Sequence, residues 1–230
     1  MVLFASHNHF IKQKWFGRSD PLPYSFNMKG HIMKKMNLPN KLTLLRIILV
    51  PAVIAAILID FPFHFLVAGI LFGVAAITDA LDGKIARRDN LITDFGKFAD
   101  PLADKILVIS VMVCFVKLNL CGAIPLIIII FREFAVTSIR LVAAAKGKVI
   151  AANMWGKVKT VTQIIAIVSV FLMQFIFEIL KRTMTDPVAL INIYDVFNII
   201  GQVMFWIVAV ITVISGVIYL KDNKDVISDM

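Results

Sequence analysis

Residues Asp79 to Lys105 read DALDGKIARRDNLITDFGKFADPLADK, and this stretch concentrates acidic side chains in an otherwise apolar chain. The 230-residue sequence is 60% hydrophobic and holds only 15 aspartates and glutamates, of which six lie in this stretch. Long apolar runs flank it on both sides. Because carboxylates beside such runs are costly to keep ionised, the stretch is a candidate functional site.

The apolar runs predict an all-α, polytopic membrane protein. The hydrophobic fraction exceeds the roughly 45–50% of soluble domains, and the blocks approach the about 20 residues that one crossing needs. Six transmembrane helices are predicted, near residues 41–60, 65–88, 94–117, 122–145, 157–179 and 196–220.

The first 36 residues differ from the rest. They mix aromatic, basic and turn residues without sustained periodicity and contain no apolar core of signal-peptide length. We therefore expect residues 1–36 to be a cytoplasmic segment, disordered or at the membrane surface, ahead of a membrane domain over residues 37–230. Met33 and Met36 precede the first organised region, so an internal translation start stays open.

The charge distribution predicts orientation and argues against nucleic-acid binding. The net charge is +9, but the cations concentrate in alternate loops instead of forming one basic face. The positive-inside rule then puts both termini in the cytoplasm and the acidic stretch in a polar cavity open to the cytoplasm. The predicted location is the inner or plasma membrane. Cys114 and Cys121 lack the partners of a metal or redox motif and are interpreted as incidental thiols.

The spacing of the acids indicates a divalent-metal site. Asp79 and Asp82 are three residues apart, and Gly96, Asp100 and Asp104 are spaced by four, so each set shares one face of a helix. Four carboxylates suit Mg²⁺ or Mn²⁺ better than zinc, and a pair of such ions favours displacement at phosphorus. A structural alternative for any single aspartate is a buried ion pair.

Small and basic residues near the acids are compatible with a phosphate-containing ligand. Gly83, Ala86 and Gly96 remove side-chain bulk, so that a ligand or a neighbouring backbone can approach closely. Arg87 offers a planar fork of donors that matches phosphate oxygens. Close helix packing is the alternative explanation for the small residues.

One spacing pattern joins these residues: Asp79-x2-Asp82-Gly83-x2-Ala86-Arg87-x8-Gly96-x3-Asp100-x3-Asp104. The pattern resembles in full the signature of the CDP-alcohol phosphatidyltransferases, over a region from about residue 37 to the C-terminus. The resemblance implies a six-helix membrane enzyme, acting as a homodimer, that transfers a phosphatidyl or related group from a CDP-linked donor to an alcohol and releases CMP.

The resemblance also implies a role for each signature position. The ligands of a pair of Mg²⁺ or Mn²⁺ ions would be Asp79, Asp82, Asp100 and Asp104. Asp104 would in addition act as the general base that takes the proton of the acceptor hydroxyl. The cytidine nucleotide and its diphosphate would be accommodated by Gly83, Ala86, Arg87 and Gly96.

Four basic residues outside the signature indicate where the acceptor binds. Arg132 and Arg140 are eight residues apart and share a helical face, and a cation as deep in an apolar block as Arg132 needs a polar cavity or a partner. With Lys157 and Lys159 they would form a pocket for an acceptor that carries a phosphate. The alternatives are that Arg132 pairs with a buried acid and that the lysines only follow the positive-inside rule.

Three segments resemble the bacterial branch of the family whose acceptor is sn-glycerol 3-phosphate: residues 37–46, 132–140 and 156–160. In the first segment, Asn40, Thr43 and Arg46 resemble an element that helps close the nucleotide site. The expected partners are therefore CDP-diacylglycerol, sn-glycerol 3-phosphate and membrane lipids.

Two other functions stay open at the level of the sequence. A sister enzyme of the family would use phosphatidylglycerol, inositol phosphate or serine as acceptor, and a lipid acceptor without a free phosphate would leave the arginine pair without a purpose. A cation-coupled transporter could also use membrane carboxylates. The two halves of the chain show neither an inverted repeat nor paired interrupted helices, which disfavours transport.

Overall fold

The structure is a computed structural model that describes residues 38–88, 94–145 and 153–224 and the side chains of residues 44–78, 105–144 and 153–224. Within these ranges all regular structure is α-helical. The helices are α1 (Leu38–Leu58), α2 (His64–Arg88), α3 (Asp94–Lys117), α4 (Ala123–Ala145), α5 (Met154–Thr183) and α6 (Pro187–Asp222). The predicted N-terminal segment, residues 1–36, lies outside the described residues, so its separation from the membrane domain stays a prediction.

The last two helices are longer than the sequence predicts, at 30 and 36 residues. The side chain of Asn153 caps α5 by accepting a hydrogen bond from the backbone N–H of Trp155 (3.2 Å). Asp186 caps α6 in the same way, by accepting from the N–H of Val188 (2.9 Å). Pro187 begins α6, where its missing N–H costs nothing. These local signals shorten the α5–α6 connection to three residues.

Two helices in the described part of the chain, α5 and α6, are long and apolar enough to cross a membrane. Shorter apolar segments are Leu44–Leu58 of α1 and His64–Thr78 of α2. Helix α4 has 23 residues, about 35 Å, but it carries Arg132, Glu133 and Arg140 within its apolar sequence. The all-helical class is confirmed, and the six crossings stay a prediction.

A column of phenyl rings joins four of the helices. Helix α1 packs against α2 and α3, α5 packs against α6 and α2, and α6 also packs against α4. At the centre, the ring of Phe171 lies 5.9 Å from that of Phe72 and 5.1 Å from that of Phe115, and Phe205 lies 6.2 Å from Phe115. All four side chains are buried. Such tilted and edge-on contacts stabilise packing beyond the area that they bury.

Two glycines permit close approach between elements. A Cβ atom added at Gly69 would lie 3.4 Å from Cβ of Phe171, so this glycine lets α5 pack tightly on α2. A Cβ atom added at Gly201 would lie only 2.9 Å from the backbone oxygen of Leu120 in the α3–α4 turn. The chain therefore needs glycine where α6 passes this turn.

The α1–α2 turn is tied to the end of α5 by Glu178. One carboxylate oxygen of Glu178 lies 3.0 Å from Nε2 of His64 and accepts a hydrogen bond from the backbone N–H of Phe65 (3.3 Å). This N–H belongs to the first turn of α2 and has no partner within its own helix. The contact therefore caps α2 from a distant part of the sequence.

Both cysteines are buried free thiols in the structure. Burial raises the pKa of the Cys121 thiol, which lies in the α3–α4 turn, to about 12. At neutral pH this thiol stays protonated and is a poor nucleophile. This supports the interpretation of Cys121 as an incidental thiol.

Candidate active site

The first half of the signature lies in the C-terminal part of α2, and the second half lies in the N-terminal part of α3. The positions near the end of α2 are Asp79, Asp82, Gly83, Ala86 and Arg87, and those near the start of α3 are Gly96, Asp100 and Asp104. The backbone is helical through both halves, so spacings of three and four residues put the acids of each half on one helical face. Their side chains lie outside the described residues, and their individual roles stay predictions.

The donor set of the signature fits hard divalent cations. Its four possible ligands all present carboxylate oxygens, and the signature contains no histidine or cysteine. Mg²⁺ and Mn²⁺ prefer such oxygen ligands, whereas structural zinc sites use nitrogen and sulfur. The chemistry of these residues is thus compatible with the predicted pair of ions.

A cluster of described charged side chains adjoins the signature. The carboxylate of Glu133 (α4) pairs with the ammonium of Lys159 (α5), and its second oxygen lies 3.8 Å from Nζ of Lys105 (α3). Lys105 also donates to the backbone oxygen of Glu133 (3.3 Å) and to the hydroxyl of Thr137. Because Lys105 follows Asp104 directly, with Cα atoms about 3.8 Å apart, the cluster is continuous with the signature along α3.

Arg132 lies in this cluster with unused donor capacity. Its Nη2 donates to the hydroxyl of Ser215 (2.7 Å), and its Nη1 is 3.8 Å from a carboxylate oxygen of Glu133. Its Nε is buried and has no hydrogen-bond partner in the described part of the chain. A Cβ atom added at Gly156 would lie 3.8 Å from Nη2, so the start of α5 passes beside the guanidinium at van der Waals distance. The guanidinium therefore keeps one donor without a partner among the described residues.

Arg140 contacts the same helix as Arg132. Its Nε lies 3.3 Å from the hydroxyl oxygen of Tyr219, and its Cζ lies 5.3 Å from the centre of the tyrosine ring. Arg140 is exposed and Tyr219 is buried. Both arginines of α4 are thus held against α6 by side chains four residues apart.

The two lysines predicted for the acceptor pocket have different environments. Lys159 is 2% exposed and belongs to the cluster around Glu133, whereas Lys157 is exposed on α5. A separation of two residues turns a helical side chain by about 200°, so both cannot face the same cavity directly. The structure therefore brings Lys159 together with Arg132 and places Lys157 at the surface of α5.

The predicted nucleotide element at the start of the membrane domain lies in α1. Asn40 and Thr43 occupy its first turns, and their side chains lie outside the described residues. Arg46, one turn further on, is fully buried. The burial of a guanidinium in an apolar helix marks this end of α1 as polar on its inner side.

The sequence did not predict site roles for five residues that contact the candidate cations or Glu133: Lys105, Glu133, Thr137, Ser215 and Tyr219. Lys105 and Glu133 carried a detectable signal, because each is a charge in an apolar helix beside a candidate residue. Ser215 and Tyr219 carried none. Their arginine partners lie 83 and 79 residues away in the chain, and hydroxyl groups are common in apolar helices.

Comparison with known proteins gives concordant matches. A family model described as CDP-alcohol phosphatidyltransferase matches residues 36–214. The CDP-diacylglycerol–glycerol-3-phosphate 3-phosphatidyltransferase of Bacillus subtilis (strain 168) is 41% identical over 199 residues, which are 81% of this chain and 95% of the relative. The protein of the same name from Rickettsia bellii (strain RML369-C) is 36% identical over 188 residues, 82% of this chain and 96% of the relative. A third protein of this name, from Salmonella choleraesuis (strain SC-B67), is 38% identical over 137 residues, which are 58% of this chain and 75% of the relative.

Proposed function

The chain belongs to the CDP-alcohol phosphatidyltransferase family, and we propose that it transfers the phosphatidyl group of CDP-diacylglycerol to sn-glycerol 3-phosphate. The products are phosphatidylglycerophosphate and CMP. The names of the relatives that cover most of the chain support this donor and this acceptor. The protein is accordingly a transferase of phospholipid synthesis, on the route to phosphatidylglycerol.

The observation that carries the choice of acceptor is the continuity of the cationic cluster with the signature. Lys105 is the residue after Asp104, and its side chain contacts the same glutamate as Lys159 and Arg132. An acceptor that carries a phosphate finds charge-assisted donors at this point. An acceptor that carries no anionic group would not use them in this way.

The signature acids are the proposed metal ligands. Asp79, Asp82, Asp100 and Asp104 would hold two Mg²⁺ or Mn²⁺ ions. When bound, the ions would clamp phosphoryl oxygens of the donor and offset the charge that develops during transfer.

Small and polar residues around these acids would bind the CDP part of the donor. Gly83, Ala86 and Gly96 leave the space that close approach of a nucleotide requires. Arg87 would form a forked contact with a phosphate group. Asn40 and Thr43, in the first turns of α1, would complete the nucleotide site.

The acceptor would be held by its phosphate and activated at its hydroxyl. Arg132, Arg140 and Lys159 would bind the phosphate, and Lys157, at the surface of α5, would attract the anion on its approach. Asp104 would take the proton of the acceptor hydroxyl. The acceptor oxygen then forms a bond to the phosphatidyl phosphorus, and the bond from this phosphorus to CMP breaks with its electrons leaving on CMP.

The enzyme is proposed to span the inner or plasma membrane with six helices, with both termini and the active site on the cytoplasmic side. The length and apolarity of α5 and α6 support membrane insertion, and the cation-rich loops support the orientation. A homodimer is proposed on the family resemblance.

One assay tests the function. The purified chain, in detergent with Mg²⁺ or Mn²⁺ and CDP-diacylglycerol, is supplied separately with sn-glycerol 3-phosphate, inositol phosphate, serine or phosphatidylglycerol, and CMP release is followed. We expect release with sn-glycerol 3-phosphate. Release with another acceptor alone would contradict the proposed acceptor, and no release with any of them would contradict the proposed activity.

A pair of variants tests the general base within this assay. Asp104→Asn is expected to lower turnover at least about 100-fold, because general-base catalysis commonly contributes that much. The matched control is Asp94→Asn, which lies on the same helix outside the signature spacing and should keep turnover within severalfold. Substantial turnover by the Asp104→Asn variant would remove this residue from the role of base.

A further inference from the structure

Helix α6 carries three buried polar side chains along one stripe. Thr212, Ser215 and Tyr219 are each at most 1% exposed, in a helix whose other buried residues are mainly apolar or glycine. Their spacing of three and four residues aligns them on one helical face. A buried hydroxyl in an apolar helix is costly without a partner, so each of the three calls for an explanation.

Ser215 and its neighbour hold Arg132 at two points. The hydroxyl of Ser215 accepts a hydrogen bond from Nη2 of Arg132 (2.7 Å). A Cβ atom added at Gly216 would lie 3.2 Å from Cγ of Arg132, so the stem of the arginine packs over this glycine. Helix α6 therefore determines both the path of the side chain and the orientation of its guanidinium.

Tyr219 also holds its arginine at two points. Its hydroxyl oxygen lies 3.3 Å from Nε of Arg140, and the centre of its ring lies 5.3 Å from Cζ. Arg132 and Arg140 are separated by eight residues, about 12 Å along α4, whereas Ser215 and Tyr219 are separated by four, about 6 Å along α6. Both guanidiniums are therefore held against one short stretch of α6, although their backbones lie about two turns apart on α4.

The chemical nature of the two partners is informative. Besides the 3.8 Å contact of Arg132 with Glu133, which Lys159 and Lys105 share, the partners that orient the two guanidiniums are hydroxyls. A hydroxyl orients a guanidinium without adding a further negative charge that would compete with an incoming anion. Resting on the proposed function, we propose that Ser215 and Tyr219 are positioning residues that aim Arg132 and Arg140 at the phosphate of the acceptor. They act through the arginines and need not touch the substrate.

The test measures three constants separately in the CMP-release assay: kcat, the KM for sn-glycerol 3-phosphate and the KM for CDP-diacylglycerol. Ser215→Ala is expected to raise the KM for sn-glycerol 3-phosphate about tenfold, since a hydrogen bond to a charged group is lost. Tyr219→Phe keeps the ring and should raise it less, about threefold. For both variants, kcat and the KM for CDP-diacylglycerol should stay within twofold. Rescue is expected from Ser215→Thr, which restores the hydroxyl.

Thr212→Val is the matched control. Thr212 is fully buried one turn before Ser215, and its hydroxyl has no hydrogen-bond partner in the described part of the chain. This variant removes a hydroxyl from the same stripe at almost constant volume and should leave all three constants unchanged. The positioning role would be overturned if Ser215→Ala raised the KM for sn-glycerol 3-phosphate and the KM for CDP-diacylglycerol equally, or raised neither.

A binding measurement separates this inference from the proposed activity. sn-Glycerol 3-phosphate should raise the thermal unfolding midpoint of the wild-type chain, and Ser215→Ala should need about tenfold more ligand for the same shift. If the wild type binds in this way but releases no CMP, the proposed activity fails and the positioning role stands. If the ligand stabilises wild type and Ser215→Ala equally, the positioning role fails.

Discussion

Glu133 is one carboxylate that contacts three cationic side chains, those of Lys105, Arg132 and Lys159. Lys159 is the most buried of them, with its side chain only 3% exposed, and the side chains of the other two are 15% and 12% exposed. Like charges this close repel each other in a medium that screens poorly. We infer that Glu133 stabilises the cluster in the absence of an anion and leaves Arg132 donors available for one.

Glu133→Gln should destabilise the protein in a way that phosphate corrects. The substitution keeps the shape of the side chain and removes its charge, so the free energy of unfolding should fall by about 1–3 kcal/mol. An added anion replaces the lost charge. Inorganic phosphate should therefore raise the unfolding midpoint more in this variant than in the wild type, as measured by thermal unfolding in detergent.

Glu178→Gln provides the comparison for this prediction. Glu178 is also a half-buried acid, but it contacts His64 and the start of α2 instead of the cationic cluster. Its substitution should lower the unfolding midpoint without increasing the effect of phosphate. A phosphate effect of equal size in both variants would show that Glu133 has no special relation to an anion site.

At the scale of the helix, periodicity and capping account for most of what the sequence could predict. The apolar blocks located all six helices, and α3 begins and ends where it was predicted. The prediction missed the first part of α6, because polar residues such as Asn192 and Asp195 interrupt the apolar run. The capping residue Asp186 and Pro187 were the local signals for the true start.

Gly201→Ala should destabilise the protein, although alanine favours helices. The new methyl group would lie 2.9 Å from the backbone oxygen of Leu120, and a backbone atom cannot move aside cheaply. Overpacking costs about 1–3 kcal/mol, and a contact with a backbone atom belongs at the upper end of this range, above the about 1 kcal/mol that alanine gains in helix propensity.

Gly73→Ala is the control for this contact. A Cβ atom at Gly73 would meet nothing within 4 Å, so its substitution should be neutral or stabilising by up to about 1 kcal/mol. Both variants can be compared by SDS or thermal unfolding in the same detergent. Equal stability of the two variants would contradict the tight contact between α6 and the α3–α4 turn.

At the scale of the described helix bundle, the two ends of the helices differ in chemistry. One end holds the signature segments of α2 and α3 and the neighbouring cationic cluster, whereas the α1–α2 and α5–α6 connections carry few cations. The phenyl rings between α2, α3, α5 and α6 lie within the apolar interior. This asymmetry is the basis of the proposed orientation in the membrane.

Labelling of single cysteines tests the orientation. In a chain with Cys114 and Cys121 replaced by serine, Asp60→Cys and Thr185→Cys lie in exposed connections, and Lys224→Cys lies just after α6. A membrane-impermeant maleimide should label the first two on intact bacterial spheroplasts and the third only after the membrane is permeabilised. The reverse pattern would place the termini outside the cytoplasm.

Hydrophobic blocks and residue spacing were enough to predict the helical class, the approximate positions of the helices and the helical face that the signature acids share. These properties depend on hydrophobic blocks and on the 3.6-residue period, both of which are local. The sequence also singled out Arg132 and Lys159 as charges in apolar surroundings, and their anion-binding role stays a prediction.

Which of these charges meet, and which side chains hold them, depends on the packing of the helices. The contacts from Glu133 to Lys159, from Arg132 to Ser215 and from Arg140 to Tyr219 join residues 26, 83 and 79 positions apart. The packing also separated Lys159 from Lys157, which a linear reading had grouped together. The physical reason is that helix periodicity specifies a face within each helix, whereas the meeting of two faces depends on how all the helices pack.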